Sequence, residues 1–299
     1  TRAIFKVCVE MGLGVNGENV VYLDLSHMDP KKLDVKLGGI MEIYEKFMGD
    51  DPRKVPMKIF PGVHYSMGGL WVDEEQATNI PGLFAAGECD YSIHGANRLG
   101  ANSLLSCIYG GMLAGPKAIE YINGLEKSAL DMDSGIFDSA LKREQEKYEE
   151  IIKMDGDENP YKLHQELGKM MTDNVTVVRY NDKLQETDYA IQELMERYKR
   201  IGMSDTGSWS NQTAMFTRHL WNMLVLARVI TLGALNRNES RGAHYKPEFP
   251  DRNDEEWLKT TIATHTEDGP KLTYEEVDTS LIEPRERRYD VAKQGAKKK

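Results

Sequence analysis

Three short stretches carry residue types that can bind and orient small polar molecules. The first is I-P-G-L-F-A-A-G-E, residues 80–88. An apolar strand that ends on Gly87 and then Glu88 suits a nucleotide cofactor. The glycine lets the backbone approach closely, and the carboxylate accepts hydrogen bonds from sugar-like hydroxyls. The second is H-G-A-N-R-L-G-A-N-S-L-L, residues 94–105. It opens onto a helix whose unpaired N–H groups favour negative charge, and its Arg98 has the planar fork that grips a carboxylate bidentately. The third is H-Y-S-M-G-G, residues 64–69, in which His64 stands shortly before a Gly pair that permits close approach of a ligand.

Each stretch has a plainer alternative. Gly87 and Glu88 also suit a turn and a cap, Arg98 a solvated loop, and His64 a strand histidine satisfied by backbone. All three plain readings together require three coincidences within residues 64–105. The joint reading is one pocket, beside a flavin, for a small dicarboxylate.

The elements that must position these residues follow from patterning. Residues 2–12 space their apolar positions for a short helix, 19–25 are rich in strand formers, and 36–48 are helical again. Pro52, Pro56 and Pro61 then forbid a long helix. Residues 63–88 read as strand, turn, strand. Asn102 or Ser103 is the expected N-cap of an apolar helix over 104–121. Residues 134–153, 160–174, 183–201 and 213–236 carry apolar residues at three- and four-residue spacing, which predicts a helical bundle. Two β-rich stretches follow at 257–265 and 270–277, and the basic tail 295–299 is expected to be disordered.

Composition sets bounds. The chain has 299 residues with 38 Lys+Arg against 48 Asp+Glu, a formal net charge of −10, which disfavours a nucleic-acid binder or an anionic membrane surface. With 40% hydrophobic and 29% charged residues it is globular in type. Cys8, Cys89 and Cys107 include no C-x-x-C pair, so neither a zinc nor an iron–sulfur site is expected, and the thiols fit a reducing compartment. The most apolar run, 219–235, contains Asn222 and Arg228 and reads as a buried core helix rather than a membrane span. The chain opens on Thr1, directly in a helix, and is expected to lack an N-terminal portion.

G-V-H-Y-S-M-G-G, N-I-P-G-L-F-A-A-G-E, H-G-A-N-R-L-G-A-N-S-L-L and the later E-S-R-G-A-H-Y-K-P-E-F-P-D-R-N-D-E-E-W, residues 239–257, together resemble the flavoprotein subunits of succinate dehydrogenase and fumarate reductase, most closely the type of Bacillus-like bacteria. The resemblance covers essentially the whole chain, but only about the C-terminal half of a family member.

The resemblance implies the C-terminal part of an FAD-binding α/β domain with the end of a capping domain, then a helical bundle and a small C-terminal α+β domain. The corresponding boundaries are 1–60, 61–123, 124–237 and 238–299. It implies hydride transfer between succinate or fumarate and FAD, with electrons passed to an iron–sulfur subunit and quinone. Under it, His64 and Arg98 hold the substrate carboxylates, Glu88 meets the FAD ribityl chain, Ser103 and Leu104 lie against the isoalloxazine, and Arg2 matches the proton-shuttling arginine. No metal ligand is implied. The Gly-rich dinucleotide loop and the histidine that bonds FAD covalently are not found. Gly12-Leu13-Gly14 and Gly38-Gly39 do not follow strands and lack the third glycine. The isolated chain is therefore expected to be inactive.

The implied partners are the iron–sulfur subunit and, through it, a membrane anchor. The implied location is the cytoplasmic face of the cell membrane. L-aspartate oxidase, which shares the fold, and a catalytically dead partner-binding module are the alternatives. Arg241 and His244 read equally as a loop that supports the pocket from outside or as plain surface. For the bundle, packing against the flavin domain is the favoured reading over a docking face.

Overall fold

The structure, a computed structural model, describes residues 1–91 and 94–285. The basic tail, with its expected disorder, lies outside the described residues. The chain forms two compact units, residues 1–252 and residues from 253 onward. Residues 238–252 belong to the first unit. Residues 239–246 are fastened to it by buried side chains, His244 to Arg179 and Lys246 to the Leu235 carbonyl of the last long helix.

The first unit begins with α1 (Arg2–Phe5), which continues as a π-turn, Lys6–Glu10. Strand β1 (Val21–Leu23) pairs antiparallel with β2 (Met57–Ile59), and α2 (Pro30–Met48) lies between them in sequence. The start of α2 follows from its residues. The Asp29 carboxylate accepts the Lys31 N–H at 3.0 Å, Pro30 occupies the first turn, and Gly49 closes the helix in the left-handed region at φ 78°.

Residues 63–88 contain no strand. Among the described residues their strand-like pairings are single bridges, Leu70 with Asp90 and Ala77 with Phe84. The apolar run 80–88 bends at once, with the Leu83 N–H donating to the Ile80 carbonyl at 3.0 Å, and its end is a 3-10 turn, Gly87–Cys89. A strand persists only where a neighbour continues the ladder, and here each bridge stands alone. The expected strand–turn–strand over residues 63–88 is therefore a series of turns and single bridges.

Helix α3 (Ser103–Asn123) follows, with Asn102 at its N-cap position making no side-chain capping bond. It buries its small residues, Ser106 and Gly110, while Leu104, Leu105, Ile108 and Met112 are exposed. Gly110 packs so closely that a Cβ there would lie 3.1 Å from that of Ala86.

Helices α4 (Ser134–Ile152), α5 (Pro160–Met171), α6 (Asn181–Tyr198) and α7 (Gln212–Asn236) form the expected bundle. Its core is the cluster of Leu163, Leu167, Ile191, Leu194, Leu220 and Leu224 with their neighbours. In α7 the buried residues Leu220, Leu224, Ala227, Thr231 and Ala234 recur every three or four positions, as one buried stripe requires. Asn159 and Asn211 cap α5 and α7 with their side-chain oxygens. Arg228, the charge inside α7, pairs at 3.0 Å with the buried Asp188 of α6. Among the described residues no helix is long and apolar enough to cross a membrane.

The second unit contains a four-residue helix, α8 (Asp254–Trp257), and a hairpin of β3 (Lys259–Thr266) and β4 (Gly269–Glu276), paired in register from Lys259 with Glu276 to Thr266 with Gly269.

Candidate functional site

Two contacts fasten the segment 64–70 to the Gly87–Cys89 turn. The Ser66 N–H donates to the Glu88 carboxylate at 2.9 Å, and the Leu70 N–H donates to the Cys89 carbonyl at 2.7 Å. Gly69 makes this approach possible: a Cβ there would lie 2.2 Å from the Cys89 oxygen. Gly87 has φ 85°, a conformation open chiefly to glycine, and faces Cys107 of α3 so closely that a Cβ would lie 2.8 Å from Sγ. Turn, segment and helix start are thereby stacked into one body.

The segment 94–98 joins them through polar side chains. The His94 Nε2 lies 3.1 Å from the Ser106 Oγ and 3.3 Å from the Tyr65 hydroxyl, and those two oxygens lie 3.1 Å apart. The Tyr65 and His94 rings meet edge to face. The Arg98 N–H donates to the Met67 Sδ, and its guanidinium carbon lies 5.3 Å from the centre of the Tyr65 ring. Arg98 also donates to the Leu99 carbonyl at 3.1 Å. The guanidinium is thus laid against the residue that directly follows His64, whose own imidazole is exposed.

The structure therefore brings together the neighbourhoods of four sequence-predicted residues, His64, Glu88, Arg98 and Ser103. Leu104, also predicted, is exposed on the first turn of α3. Arg2 has a different setting. Its guanidinium stacks 3.9 Å above the Tyr245 ring and donates to the Gly242 carbonyl at 3.3 Å.

Three residues that knit the site, Tyr65, His94 and Ser106, had no role in the sequence reading, although Tyr65 and His94 stand inside the quoted motifs. Their spacing of 29, 41 and 12 residues follows no local period, so only the fold joins them.

The loop around Arg241 and His244 is not plain surface. The Ala243 N–H donates to the Ala96 carbonyl at 2.9 Å, which sets this loop against the back of the 94–98 segment. His244 is buried, and burial together with the Arg179 guanidinium beside it pushes its pKa down to about 4. Among the described residues no group of three or more His, Cys, Asp and Glu is arranged to hold a metal ion.

Comparison with known proteins finds similar chains. A family model described as an FAD binding domain matches residues 1–104, and one described as the fumarate reductase flavoprotein C-terminus matches residues 164–289. The succinate dehydrogenase flavoprotein subunit of Bacillus subtilis (strain 168) is 70% identical over 295 residues, 98% of this chain and 50% of that protein. The fumarate reductase flavoprotein subunit of Escherichia coli (strain K12) is 36% identical over 279 residues, 91% of this chain and 45% of that one. A solved chain of E. coli quinol fumarate reductase superposes with a TM-score of 0.84 at 36% identity, covering 91% of this chain and 47% of that chain. The chain spans about half the length of the curated relatives it matches.

Proposed function

The chain belongs to the family of succinate dehydrogenase and fumarate reductase flavoprotein subunits, and from that premise we propose that it supplies one side of a dicarboxylate pocket in a longer FAD-dependent enzyme. The observation that carries this reading is the convergence of the 64–69, 87–91 and 94–98 segments on the first turns of α3.

The residues fit a flavin nucleotide. Glu88 offers an exposed carboxylate to ribityl-type hydroxyls, and α3 begins without a side-chain cap, leaving its N–H groups for an electron-rich ring edge. Leu104 exposes an apolar side chain at the same place, suited to a ring face. FAD, when bound, supplies the two-electron chemistry. Arg98 offers one substrate carboxylate two parallel N–H donors, His64 holds the other, and the Tyr65 ring keeps the Arg98 fork from swinging away. Gripping both ends fixes the central carbons against the flavin, and this removes orientational entropy before reaction. We keep Arg2 as the residue proposed for proton transfer, its position supported by its bond to Gly242 and its stacking on Tyr245.

In this reading electrons leave through an iron–sulfur subunit to quinone, and the flavoprotein sits at the cytoplasmic face of the membrane through its partners. Family membership supports these last points. The test is an assay of the full-length flavoprotein, loaded with FAD, for succinate-dependent dye reduction. Succinate oxidation that malonate inhibits is expected. Oxidation of aspartate in its place overturns the reading in favour of an aspartate oxidase, and absence of both activities overturns it outright.

A further inference from the structure

Behind the 94–98 segment lies a loop, residues 239–246, that buries Glu239, His244 and Lys246. Glu239 is fully buried and accepts two parallel bonds from Arg241, from Nε at 2.8 Å and from Nη2 at 3.0 Å, while Arg237 donates to it at 2.7 Å. His244 Nε2–H donates to the Arg237 carbonyl at 2.9 Å, and its Nδ1 accepts from Arg179 Nη1. A guanidinium can only donate, so the ring is neutral with its proton on Nε2. Arg179 is itself fixed, donating from Nε to the Val175 carbonyl at 2.6 Å and from its backbone N–H to the Tyr245 carbonyl at 3.1 Å. Lys246, fully buried, donates from Nζ to the Leu235 carbonyl at 2.8 Å and so binds the loop to the last turn of α7.

Burying this many charged groups costs free energy unless each is paired, and a loop that merely closed a turn would not need them. Their common effect is to hold one short edge still. On that edge Gly242 has φ 61°, and a Cβ there would lie 2.4 Å from the Ala96 carbonyl oxygen and 2.9 Å from the Asn97 Cβ. Next to it the Ala243 N–H donates to the same Ala96 carbonyl. Ala96 stands two residues before Arg98 in the chain. The edge is thus a backstop that joins the helical bundle to the segment carrying the carboxylate-gripping arginine.

We propose that His244 and Gly242 are positioning residues for Arg98, acting through Ala96, with Arg179 as the bundle's anchor for the histidine. The proposal rests on Arg98 being the carboxylate grip. It places substrate affinity under the control of a loop that never touches the substrate.

The experiment compares His244→Ala, His244→Gln and Gly242→Ala in the full-length, FAD-loaded flavoprotein. It measures malonate Kd from the flavin absorbance change, together with succinate KM and kcat. Misplacing Arg98 is expected to raise malonate Kd and succinate KM roughly tenfold in His244→Ala, with kcat changed less than about threefold. His244→Gln, which can donate to Arg237 O and accept from Arg179, is expected to restore most of that loss. Gly242→Ala, which pushes on Ala96 directly, is expected to match His244→Ala. Unchanged malonate Kd in His244→Ala overturns the proposal, as does equal impairment of His244→Gln and His244→Ala. If His244→Ala does not accumulate with FAD, Gly242→Ala decides: a weakened Kd supports the proposal and a wild-type Kd overturns it. A wild-type protein that does not bind malonate overturns the functional reading itself.

Discussion

The Ser66 N–H donates to the Glu88 carboxylate at 2.9 Å across 22 residues of chain, and this bond holds the segment beginning at His64 against the turn that ends the apolar run 80–88. Glu88 thus has a structural duty besides the one proposed toward the cofactor. The two can be separated. Glu88→Gln keeps an acceptor for Ser66 and is expected to leave thermal stability unchanged. Glu88→Ala loses the bond, at a cost of about 1 kcal/mol or less because both groups are exposed. Both variants are expected to retain less FAD than wild type, read from the ratio of flavin to protein absorbance. Wild-type FAD retention in both would remove Glu88 from the cofactor site.

Arg98→Ala is expected to lose most succinate turnover in the full-length enzyme, and Arg98→Lys to recover little of it, because an ammonium cannot reproduce the planar fork. For His64→Ala the expected change is weaker binding of malonate or oxaloacetate. Near-normal succinate oxidation by Arg98→Ala, or an unchanged dissociation constant for His64→Ala, would take the residue concerned out of the pocket.

His244 makes stability depend on pH in a stated direction. Its ordinary pKa of 6.5 is lowered to about 4 in the folded chain, so the unfolded chain takes up a proton that the folded chain refuses across that interval. Stability is therefore complete above pH 6.5 and falls as pH drops from 6.5 toward 4, by up to about 3 kcal/mol from this group. Urea midpoints at pH 7 and pH 4.5 are expected to converge in His244→Gln relative to wild type. An equal pH dependence in the two proteins would show that other groups govern the acid limb.

The pair of Arg228 and Asp188 joins α7 to α6 at 3.0 Å with little water access, and Gln192 donates to the other Asp188 oxygen at 2.8 Å. Arg228→Met leaves a carboxylate buried without its cation and is expected to destabilise the fold by about 3 kcal/mol. Adding Asp188→Leu is expected to recover part of the loss, since the stranded charge is then gone. Chemical denaturation of the two single variants and the double variant gives the coupling directly, and additive losses would mean that the pair does not interact.

Much of this fold was legible locally. The bundle helices lie where apolar residues recur at three- and four-residue spacing, and the last hairpin lies in the two β-rich stretches, whereas α2 begins at Asp29-Pro30, ahead of the expected 36–48. Such signals are written within one or two turns of chain, because a cap or an amphipathic stripe acts on its immediate neighbours. The three motifs were also legible, since glycines that must admit another backbone and charged side chains beside them stand next to one another in sequence.

Tertiary structure decided the rest. Residues 63–88 have strand-like composition, yet a ladder depends on a partner that no local pattern specifies, and they formed turns and single bridges. The apolar residues of α3 did not reveal that its small residues, Ser106 and Gly110, would face inward. Arg2 and His244 were single side chains open to several roles, and only contacts reaching 240 and 65 residues along the chain gave one to the Gly242 carbonyl and the other to Arg179. The sequence determined which residues are able to grip an anion. Where those residues meet depended on long-range packing, because a guanidinium or an imidazole is directed by whatever the fold brings beside it.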